Sequence, residues 1–277
     1  MKAKYPFYFL SMASVAFLLT SLIANSVAIA DRPEDTSYLC SSERNQLNFN
    51  THIQSQNKST LTVLTWNAHK FADTQYFIDI KKLSQNSDLI FIQEAMHSSG
   101  WQNAFASHMP FDWNFYKSFC TNNQATGVLT GSRYPLMTPR TILTTGTEPL
   151  SFTPKVSGVS FIEFQNKKIM LINTHALNFN LGSDFEDQID QIIEMISQTN
   201  LPIIWAGDFN TWSPGRRSYL FNQAISQGLD PLIPKNDSRT LQLDHILVRG
   251  FRSLNTKVLD QFKSSDHLPV MTELVLQ

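Results

Sequence analysis

The feature that most constrains the fold of this chain is a series of short apolar runs that recur after about residue 60. These runs are rich in β-branched and aromatic residues, which is typical of β-strands. They cover residues 61–66, 88–92, 169–172, 202–205 and 246–248. Because neighbouring positions within each run are apolar, we expect the strands to be covered on both faces of their sheets.

Helical patterns separate several of these runs. The clearest covers 185–196, where apolar residues return at i, i+4, i+7, i+8 and i+11, and Ser183 with Glu186 forms a capping-box pattern at its start. Weaker patterns predict helices over 73–85 and 217–227. Strands that alternate with helices predict an α/β protein in which helices are layered over sheets.

The N-terminal segment differs from the rest of the chain. Two lysines precede a largely apolar stretch at 7–23, and small residues at 28–30 precede an aspartate. This order predicts a secretory signal peptide over residues 1–30. An uncleaved membrane anchor is the alternative, because the apolar stretch is long for a signal peptide. We therefore expect a periplasmic or secreted protein without a membrane span, or a membrane-anchored one if the segment is retained.

The predicted organisation after the signal peptide is a polar N-terminal extension at 31–59 followed by one domain at 60–277. An exported chain meets an oxidising compartment, where Cys40 and Cys120 can form an intramolecular disulfide. Two unrelated buried thiols are the alternative. In the chain-entropy model, a bridge that closes a loop of this size contributes roughly 4–5 kcal/mol to stability.

Charge and composition exclude few functions. The chain is 42% hydrophobic, which excludes a disordered chain, and no internal repeat or linker interrupts it. Its formal net charge is -1, so no overall basic field draws in nucleic acid. A local groove can nevertheless be basic on a near-neutral protein, so the net charge does not decide the substrate.

Polar residues end most of the apolar runs. In α/β proteins, sites form where strand ends converge, and carboxylate and amide oxygens suit Mg²⁺, Mn²⁺ or Ca²⁺ better than a metal that prefers thiolates. The candidate site residues are Asn67, Glu94, His175, Asp208, Asn210, Asp244, Asp266 and His267.

These residues lie in segments that resemble the motifs of the endonuclease/exonuclease/phosphatase superfamily. The segments are, in order, WNAH, IFIQEA, GVLTGSRYPL, LINTHAL, AGDFN, LDHILV and SSDHLPV. Each is unspecific alone, but their order makes the resemblance specific, and it covers roughly residues 60–277. The resemblance implies a four-layer αββα sandwich of two packed sheets flanked by helices, with the active site at one edge. It also implies a metal-dependent phosphoric ester hydrolase.

The resemblance implies a metal site and a base. Glu94 corresponds to the principal metal ligand, with Asn67 beside it, and Asp266 to a second or alternative ligand. Mg²⁺ is the expected cofactor, with Mn²⁺ and Ca²⁺ as alternatives. His267 corresponds to the general base that takes a proton from the attacking water, and Asp244 would fix its tautomer.

Asp208 and Asn210 complete the implied chemistry. In the superfamily, the aspartate orients the water and the asparagine donates to a non-bridging phosphate oxygen. Whether Asp208 or His267 accepts the proton stays open. Asp208 and Asn210 are two positions apart in a segment that is expected to be extended. Their side chains should therefore point to the same face of that segment. An Asx turn after the strand is the alternative.

His175 indicates which branch of the superfamily the chain resembles. Pancreatic-type deoxyribonucleases, sphingomyelinases and inositol-polyphosphate phosphatases carry a histidine here, which would bind the scissile phosphate or protonate the leaving oxygen. Deoxyribonucleases support it with a glutamate, which has no clear counterpart in 124–133. Lys155, Trp212 and Arg216 are candidate substrate contacts, but a solvated surface is as good an interpretation of each.

We therefore expect an exported monomeric phosphodiesterase, an endonuclease that hydrolyses nucleic acid. The alternative is a sphingomyelinase, or a phosphatase for phosphoinositides or other small phosphoesters. An exported sphingomyelinase would need an exposed aromatic hairpin for membrane contact. The stretch 101–119 is rich in aromatic residues but alternates like a folded strand, so its rings are expected in the core.

Overall fold

The computed structural model of the protein describes residues 38–41, 45–50, 58–179, 182–235 and 237–277. The predicted signal peptide lies outside the described residues, as does part of the predicted N-terminal extension. Among the helices that are described, none is long and apolar enough to cross a membrane.

The described residues form thirteen β-strands and five α-helices. The strands are β1 (Gln46–Asn50), β2 (Thr60–Asn67), β3 (Leu89–Met96), β4 (Asp112–Thr121), β5 (Gln124–Ser132), β6 (Met137–Leu143), β7 (Val156–Phe164), β8 (Lys167–His175), β9 (Ile203–Asp208), β10 (Asp230–Pro231), β11 (Asp244–Arg249), β12 (Phe251–Val258) and β13 (Val270–Leu276). The helices are α1 (Tyr38–Ser41), α2 (Gln75–Ser84), α3 (Ser99–His108), α4 (Asp184–Ser197) and α5 (Pro214–Ser226). A short 3-10 turn covers His69–Phe71.

The strands form two mixed sheets. The first has seven strands in the order β1-β4-β5-β3-β2-β13-β12, and the second has six in the order β10-β11-β9-β8-β7-β6. Each sheet contains one parallel pair, β2 with β3 and β8 with β9. The remaining pairs are antiparallel.

The alternation of side chains along the strands explains the layers. In β2, Val63 lies in a core that both sheets share, whereas Trp66 packs in the opposite direction, in a core with residues of α2 and α3. Trp205 of β9 packs in a third core, with residues of α4 and α5. The apolar runs are therefore buried on both faces, and the predicted α/β fold, a four-layer αββα sandwich, is confirmed.

The three predicted helices are present with shifted ends. Helix α5 begins at Pro214 because the hydroxyl of Ser213 accepts a hydrogen bond from the backbone N–H of Arg216. The capping box predicted for α4 is wrong, since the Ser183 hydroxyl donates to the carboxylate of Asp187 and caps no backbone group.

The expectation for the aromatic stretch 101–119 is half correct. Its first part is helical, in α3, and only its second part is a strand, β4. Phe105 and Trp113 are buried and contact each other edge to face, as expected for core rings. The stretch therefore forms no exposed hairpin.

A disulfide joins Cys40 in α1 to Cys120 in β4. It agrees with the pairing that the sequence predicts. Helix α1 is held a second time by Lys117 of β4, whose ammonium group donates to the carbonyl oxygen of the buried Leu39 at 2.7 Å. These contacts anchor part of the N-terminal extension on the first sheet.

A buried amide pair joins the two sheets close to the strand ends. The side-chain nitrogen of Gln93 donates to the side-chain oxygen of Asn173 at 2.8 Å, and both residues are buried. The Asn173 side-chain nitrogen also lies 3.1 to 3.3 Å from three oxygen atoms of the first sheet. Gln93 directly precedes Glu94, and Asn173 lies two residues before His175, so the pair fixes these two residues relative to each other.

Candidate active site

The predicted site residues converge where strands of both sheets end. His175 and Asp208 are the last residues of the parallel strands β8 and β9 and are register partners. Asp208 is also the register partner of Asp244, the first residue of β11. Three predicted site residues therefore lie side by side across the second sheet. Asn67 and Glu94 approach them from the first sheet, at the ends of β2 and β3.

A β-bulge directs Glu94 into this space. The pairing of β3 with β5 shifts register between Ile92 and Ala95, and Glu94 has a left-handed backbone with φ of 49°. Such strain in a non-glycine residue costs on the order of 1–3 kcal/mol and concentrates at functional sites. Oε1 of Glu94 lies 3.8 Å from Nε2 of His175, and the side chain is 24% exposed. Within the described part of the chain, its carboxylate accepts no hydrogen bond.

Asn67 connects the two sheets at the site. Its side-chain nitrogen donates to Oδ2 of Asp208 at 2.9 Å, and its side-chain oxygen accepts from the backbone N–H of His69 at 2.9 Å. The side chain is buried and held in one orientation. Its oxygen therefore faces the turn after β2, while its amide group orients the Asp208 carboxylate.

Asp208 is the most buried carboxylate of the cluster. Burial raises the pKa of Asp208 to about 6, although the neighbouring His267 acts in the opposite direction. Its Oδ1 accepts the backbone N–H of Asn210 at 3.0 Å, which closes an Asx turn. Asn210 has φ of 49°, so the predicted extended conformation is wrong at that residue, and the Asx turn that was the alternative is present. Its side-chain nitrogen donates to the carbonyl oxygen of Ala176 at 2.8 Å.

His267 and Asp244 form a dyad. Nδ1 of His267 lies 3.0 Å from both carboxylate oxygens of Asp244, and Nε2 lies 3.8 Å from Oδ2 of Asp208. Burial lowers the pKa of His267, but the carboxylates of Asp244 and Asp208 outweigh it and raise the pKa to about 10. The indole N–H of Trp66 donates to the backbone oxygen of His267 at 2.8 Å and fixes the loop.

Arg239, which no sequence motif singled out, supports the dyad. Its guanidinium group donates to the backbone oxygen of Asp244 at 2.8 Å and lies 3.7 Å from the Asp244 carboxylate. The carboxylate of Asp237 holds the same guanidinium group. Asp237 and Arg239 lie in the irregular segment before β11, where the sequence offers no periodicity to place them.

The oxygen donors fit a hard divalent cation. In the described residues, the compact group with three ligand atoms within 4.8 Å of one another is Asp208, Asp244 and His267. This group does not contain the predicted ligands Glu94, Asn67 and Asp266. Within the group, the carboxylate of Asp244 is already hydrogen-bonded to His267. The carboxylate of Glu94, which accepts no hydrogen bond from the described residues and is directed into the cluster, is the donor best suited to such an ion.

Asp266 is oriented differently from the other predicted ligands. Its side chain is 59% exposed, and its carboxylate lies 3.7 Å from Nδ1 of His69, a residue at the rim. It does not belong to the compact group of described ligand atoms. The structure therefore brings Glu94 and Asn67 to the centre of the site and leaves Asp266 at its edge.

His175 lies at the centre of the charged cluster. Its Nε2 is 3.1 Å from the ammonium group of Lys155 and 3.6 Å from Oδ2 of Asp208. Burial, followed by the nearby cations Lys155 and His267, lowers the pKa of His175 well below 6.5. A neutral imidazole accepts the hydrogen bond from Lys155 and has no proton on Nε2 to give to a leaving group.

Lys155 is the functional candidate that the sequence left undecided. It directly precedes β7, which is antiparallel to β8 with Val156 opposite His175. The apolar run that follows Lys155 could have placed it at the same sheet edge. Glu148 lies 3.5 Å from the Lys155 ammonium group. It belongs to an irregular loop, where no motif or periodicity of the sequence predicted a site residue.

Arg216 braces the loops rather than facing a substrate. The buried guanidinium group donates to the carbonyl oxygens of Leu177 and Asn210 at 2.7 and 3.2 Å. It also lies over the rings of Phe185 and Trp212, at 4.4 and 4.9 Å from their centroids. Of the two candidate substrate contacts Trp212 and Arg216, Trp212 is exposed to solvent and Arg216 is buried.

Two packed sheets with a carboxylate, amide and imidazole cluster at one edge define the class of sandwich phosphoesterases. The family model described as Endonuclease/Exonuclease/phosphatase family matches residues 64–267, and the chain belongs to this family. The resemblance seen in the sequence is therefore confirmed, and the chain is a phosphoesterase of this superfamily.

Relatives and solved structures agree with this assignment. A UPF0294 protein of Vibrio vulnificus strain CMCP6 is 29% identical over 265 residues, which cover 90% of this chain and 89% of the relative. An endonuclease/exonuclease/phosphatase from Beutenbergia cavernae superposes with a TM-score of 0.62 at 16% identity, covering 79% of this chain and 72% of that one. Sphingomyelinase C from Streptomyces griseocarneus gives 0.58 at 16% identity, with coverages of 78% and 99%. At these identities the two structures show a shared fold.

Proposed function

We propose that the protein is an exported, divalent-metal-dependent phosphodiesterase that hydrolyses nucleic acid by in-line attack of water. The observation that carries the chemistry is the row formed by Asp244, His267 and Asp208. Nδ1 of His267 is fixed by Asp244, and its Nε2 faces Oδ2 of Asp208 at 3.8 Å. A water molecule that contacts both groups would meet the Asp208 carboxylate as its proton acceptor, beside a His267 imidazole that keeps its own proton because its pKa is raised.

The chain supplies each step from fixed side chains. The proton of the water passes to the carboxylate of Asp208, while Asp244 holds the imidazole of His267. The P–O bond to the leaving group breaks as the oxygen of the water bonds to phosphorus. Glu94 would hold the cation, and Asn67 beside it would orient the Asp208 carboxylate. When bound, a divalent cation neutralises charge that builds on the phosphoryl oxygens or the leaving group. His175, on the other side of Asp208, is positioned to contact the phosphate.

The open shape of the site supports a polymeric substrate. A concave surface lined by Arg239, Leu241 and Asp244 includes His267. A second concavity, lined by His69 and Lys263 among others, shares Asp266 with the first. A strand of nucleic acid can lie across such a surface, whereas a small phosphoester is better enclosed in a closed pocket.

A lipid phosphodiesterase is the second candidate, favoured by one observation. Leu150, Phe152 and Phe179 are 92%, 78% and 67% exposed, on loops that flank Glu148 near Lys155. Exposed apolar side chains at loop tips are typical of proteins that contact a membrane surface. Unlike the aromatic stretch 101–119, these side chains are free to make such a contact.

A substrate panel separates the two candidates. Purified protein without residues 1–30 is incubated with Mg²⁺, Mn²⁺ or EDTA and offered supercoiled DNA, RNA, sphingomyelin vesicles and inositol phosphates in parallel. Nicking or RNA cleavage that EDTA abolishes is the expected result. Release of phosphocholine or inorganic phosphate without cleavage of either nucleic acid contradicts the nuclease and favours the alternative.

Two observations support export. The N-terminal pattern at 1–30 is that of a signal peptide, and a bridge such as Cys40–Cys120 is favoured in an oxidising compartment. Fractionation of cells that produce the full chain tests this part of the proposal. Mature protein in the periplasm or medium is expected, whereas full-length protein in the cytoplasm, with both thiols reduced, contradicts it.

A further inference from the structure

Lys155 is an unusually well-fixed lysine. Its backbone N–H donates to the Thr144 hydroxyl at 2.9 Å, and its carbonyl oxygen accepts the backbone N–H of Thr144 at 3.1 Å. The side chain is 14% exposed, and its ammonium group donates to Nε2 of His175 at 3.1 Å. A solvated surface lysine has none of these restraints, so the position of this charge is set by the fold.

Glu148 holds the Lys155 side chain from the other direction. Its Oε1 lies 3.5 Å from the Lys155 ammonium group and accepts the backbone N–H of Asn178 at 2.8 Å. Its Oε2 lies 3.4 Å from the backbone nitrogen of Phe179, and its side chain is 13% exposed. Glu148 thereby connects the loop before β7 to the segment that follows His175.

The hydrogen-bonding capacity of Lys155 is not used up by these contacts. An ammonium group carries three N–H donors. In the described part of the chain, one points to His175, and Glu148 is the second acceptor nearby. The charge thus stands beside the His175 imidazole, with one donor left over, next to the place where a phosphodiester would bind.

We propose that Lys155 is a phosphate-binding residue of this active site and that Glu148 is its positioning residue. This inference rests on the proposed phosphodiesterase function and adds a cation that the superfamily resemblance did not supply. The third N–H of Lys155 would donate to a non-bridging phosphate oxygen. A fixed donor stabilises the charge that develops there more strongly in the transition state than in the ground state.

The resulting expectations distinguish the two residues. Lys155→Met should lower kcat/KM by roughly 10²–10³, the range found when one preorganised donor to a developing oxyanion is removed. Lys155→Arg, which keeps the charge, should recover part of this loss. Glu148→Gln keeps an oxygen for the Asn178 N–H but loses the charge that holds Lys155. Its smaller loss, about tenfold, should therefore fall on kcat with little change in the unfolding midpoint.

The experiment compares Lys155→Met, Lys155→Arg and Glu148→Gln with wild-type protein, and Lys257→Met on the exposed face of β12 is the matched control. Hydrolysis is measured in Mg²⁺ on the best substrate of the panel. Binding of inorganic phosphate is measured separately by calorimetry, with and without Mg²⁺. Weaker phosphate binding and lower kcat/KM in Lys155→Met, with Lys257→Met unchanged, support the inference.

The two readouts keep this inference distinct from the proposed function. Failure of wild-type protein to hydrolyse any phosphodiester refutes the proposed function, and phosphate binding then still tests Lys155. If Lys155→Met binds phosphate as wild-type protein does and keeps kcat/KM within threefold, the role of Lys155 is refuted while the phosphodiesterase stands. If Lys155→Met has a lower melting temperature than wild-type protein, Lys155→Gln, which keeps a neutral donor, is used in its place.

Discussion

The buried amide pair between the sheets gives the most quantitative stability prediction. Asn173→Leu keeps the branching of the side chain at Cγ but removes every polar atom. The change deprives Gln93 of its 2.8 Å acceptor and leaves Thr65 as the nearest side-chain partner of the Gln93 nitrogen, at 3.2 Å. It also takes a donor from three oxygen atoms of the first sheet.

The magnitude follows from how many buried groups lose their partner. A buried donor or acceptor left unpaired costs about 1–3 kcal/mol. Some of the affected oxygens are backbone carbonyls that also take part in the sheet, so we count one or two groups as unpaired. Asn173→Leu should therefore lower the free energy of unfolding by about 2–4 kcal/mol. It should also loosen the positions of Glu94 and His175 and reduce turnover.

Urea unfolding followed by tryptophan fluorescence measures this effect. We expect a lower midpoint at an unchanged m-value. The double variant Gln93→Met/Asn173→Leu, with both partners apolar, should be more stable than the sum of the single changes predicts, by about 1 kcal/mol or more. Asn255→Leu, at an exposed position of β12, is the control. A loss below about 0.5 kcal/mol for Asn173→Leu, or strict additivity, refutes the reasoning.

Three further predictions concern the bridge, a close backbone approach and the dyad. Replacing both cysteines with serine should cost about 4–5 kcal/mol of unfolding free energy, because the bridge closes a separation of 80 residues, and a loss below about 1 kcal/mol in urea contradicts this. Gly207→Ala would place Cβ 1.9 Å from the carbonyl oxygen of Thr174 and should abolish folding or sharply lower the melting temperature, whereas Gly215→Ala meets no atom closer than 3.9 Å and should be neutral. If Gly207→Ala and Gly215→Ala have the same melting temperature, the predicted clash at Gly207 is refuted. Asp244→Asn should lower kcat by roughly 10³–10⁴, because it disturbs the tautomer of His267; a loss below tenfold contradicts this role.

The layered fold was predictable because its cause is local. Runs such as 88–92 and 202–205 are apolar at consecutive positions, and strands of this kind must be covered on both faces. The polar residue at the end of each run then marks the edge where the strands stop. Asn67, Glu94, His175 and Asp208 could therefore be assigned to one edge before their contacts were known.

The remaining features depend on contacts that no local pattern records. Glu94 and Asn210 have left-handed backbones, one imposed by a bulge and the other by an Asx turn. Asp266 turns outward although its neighbour His267 turns inward. Glu148 reaches the site because a loop folds back to cap the segment after β8.

Hydrolysis by active-site variants tests the central claim most directly. Wild-type protein, Glu94→Gln and His267→Ala are compared in Mg²⁺ on the substrate that the panel identifies, with Glu163→Gln, an exposed glutamate of β7, as the matched control. The account predicts that Glu94→Gln and His267→Ala lower turnover by roughly 10³ or more while folding normally, and that Glu163→Gln is unaffected. Near-wild-type turnover in either Glu94→Gln or His267→Ala would contradict the site.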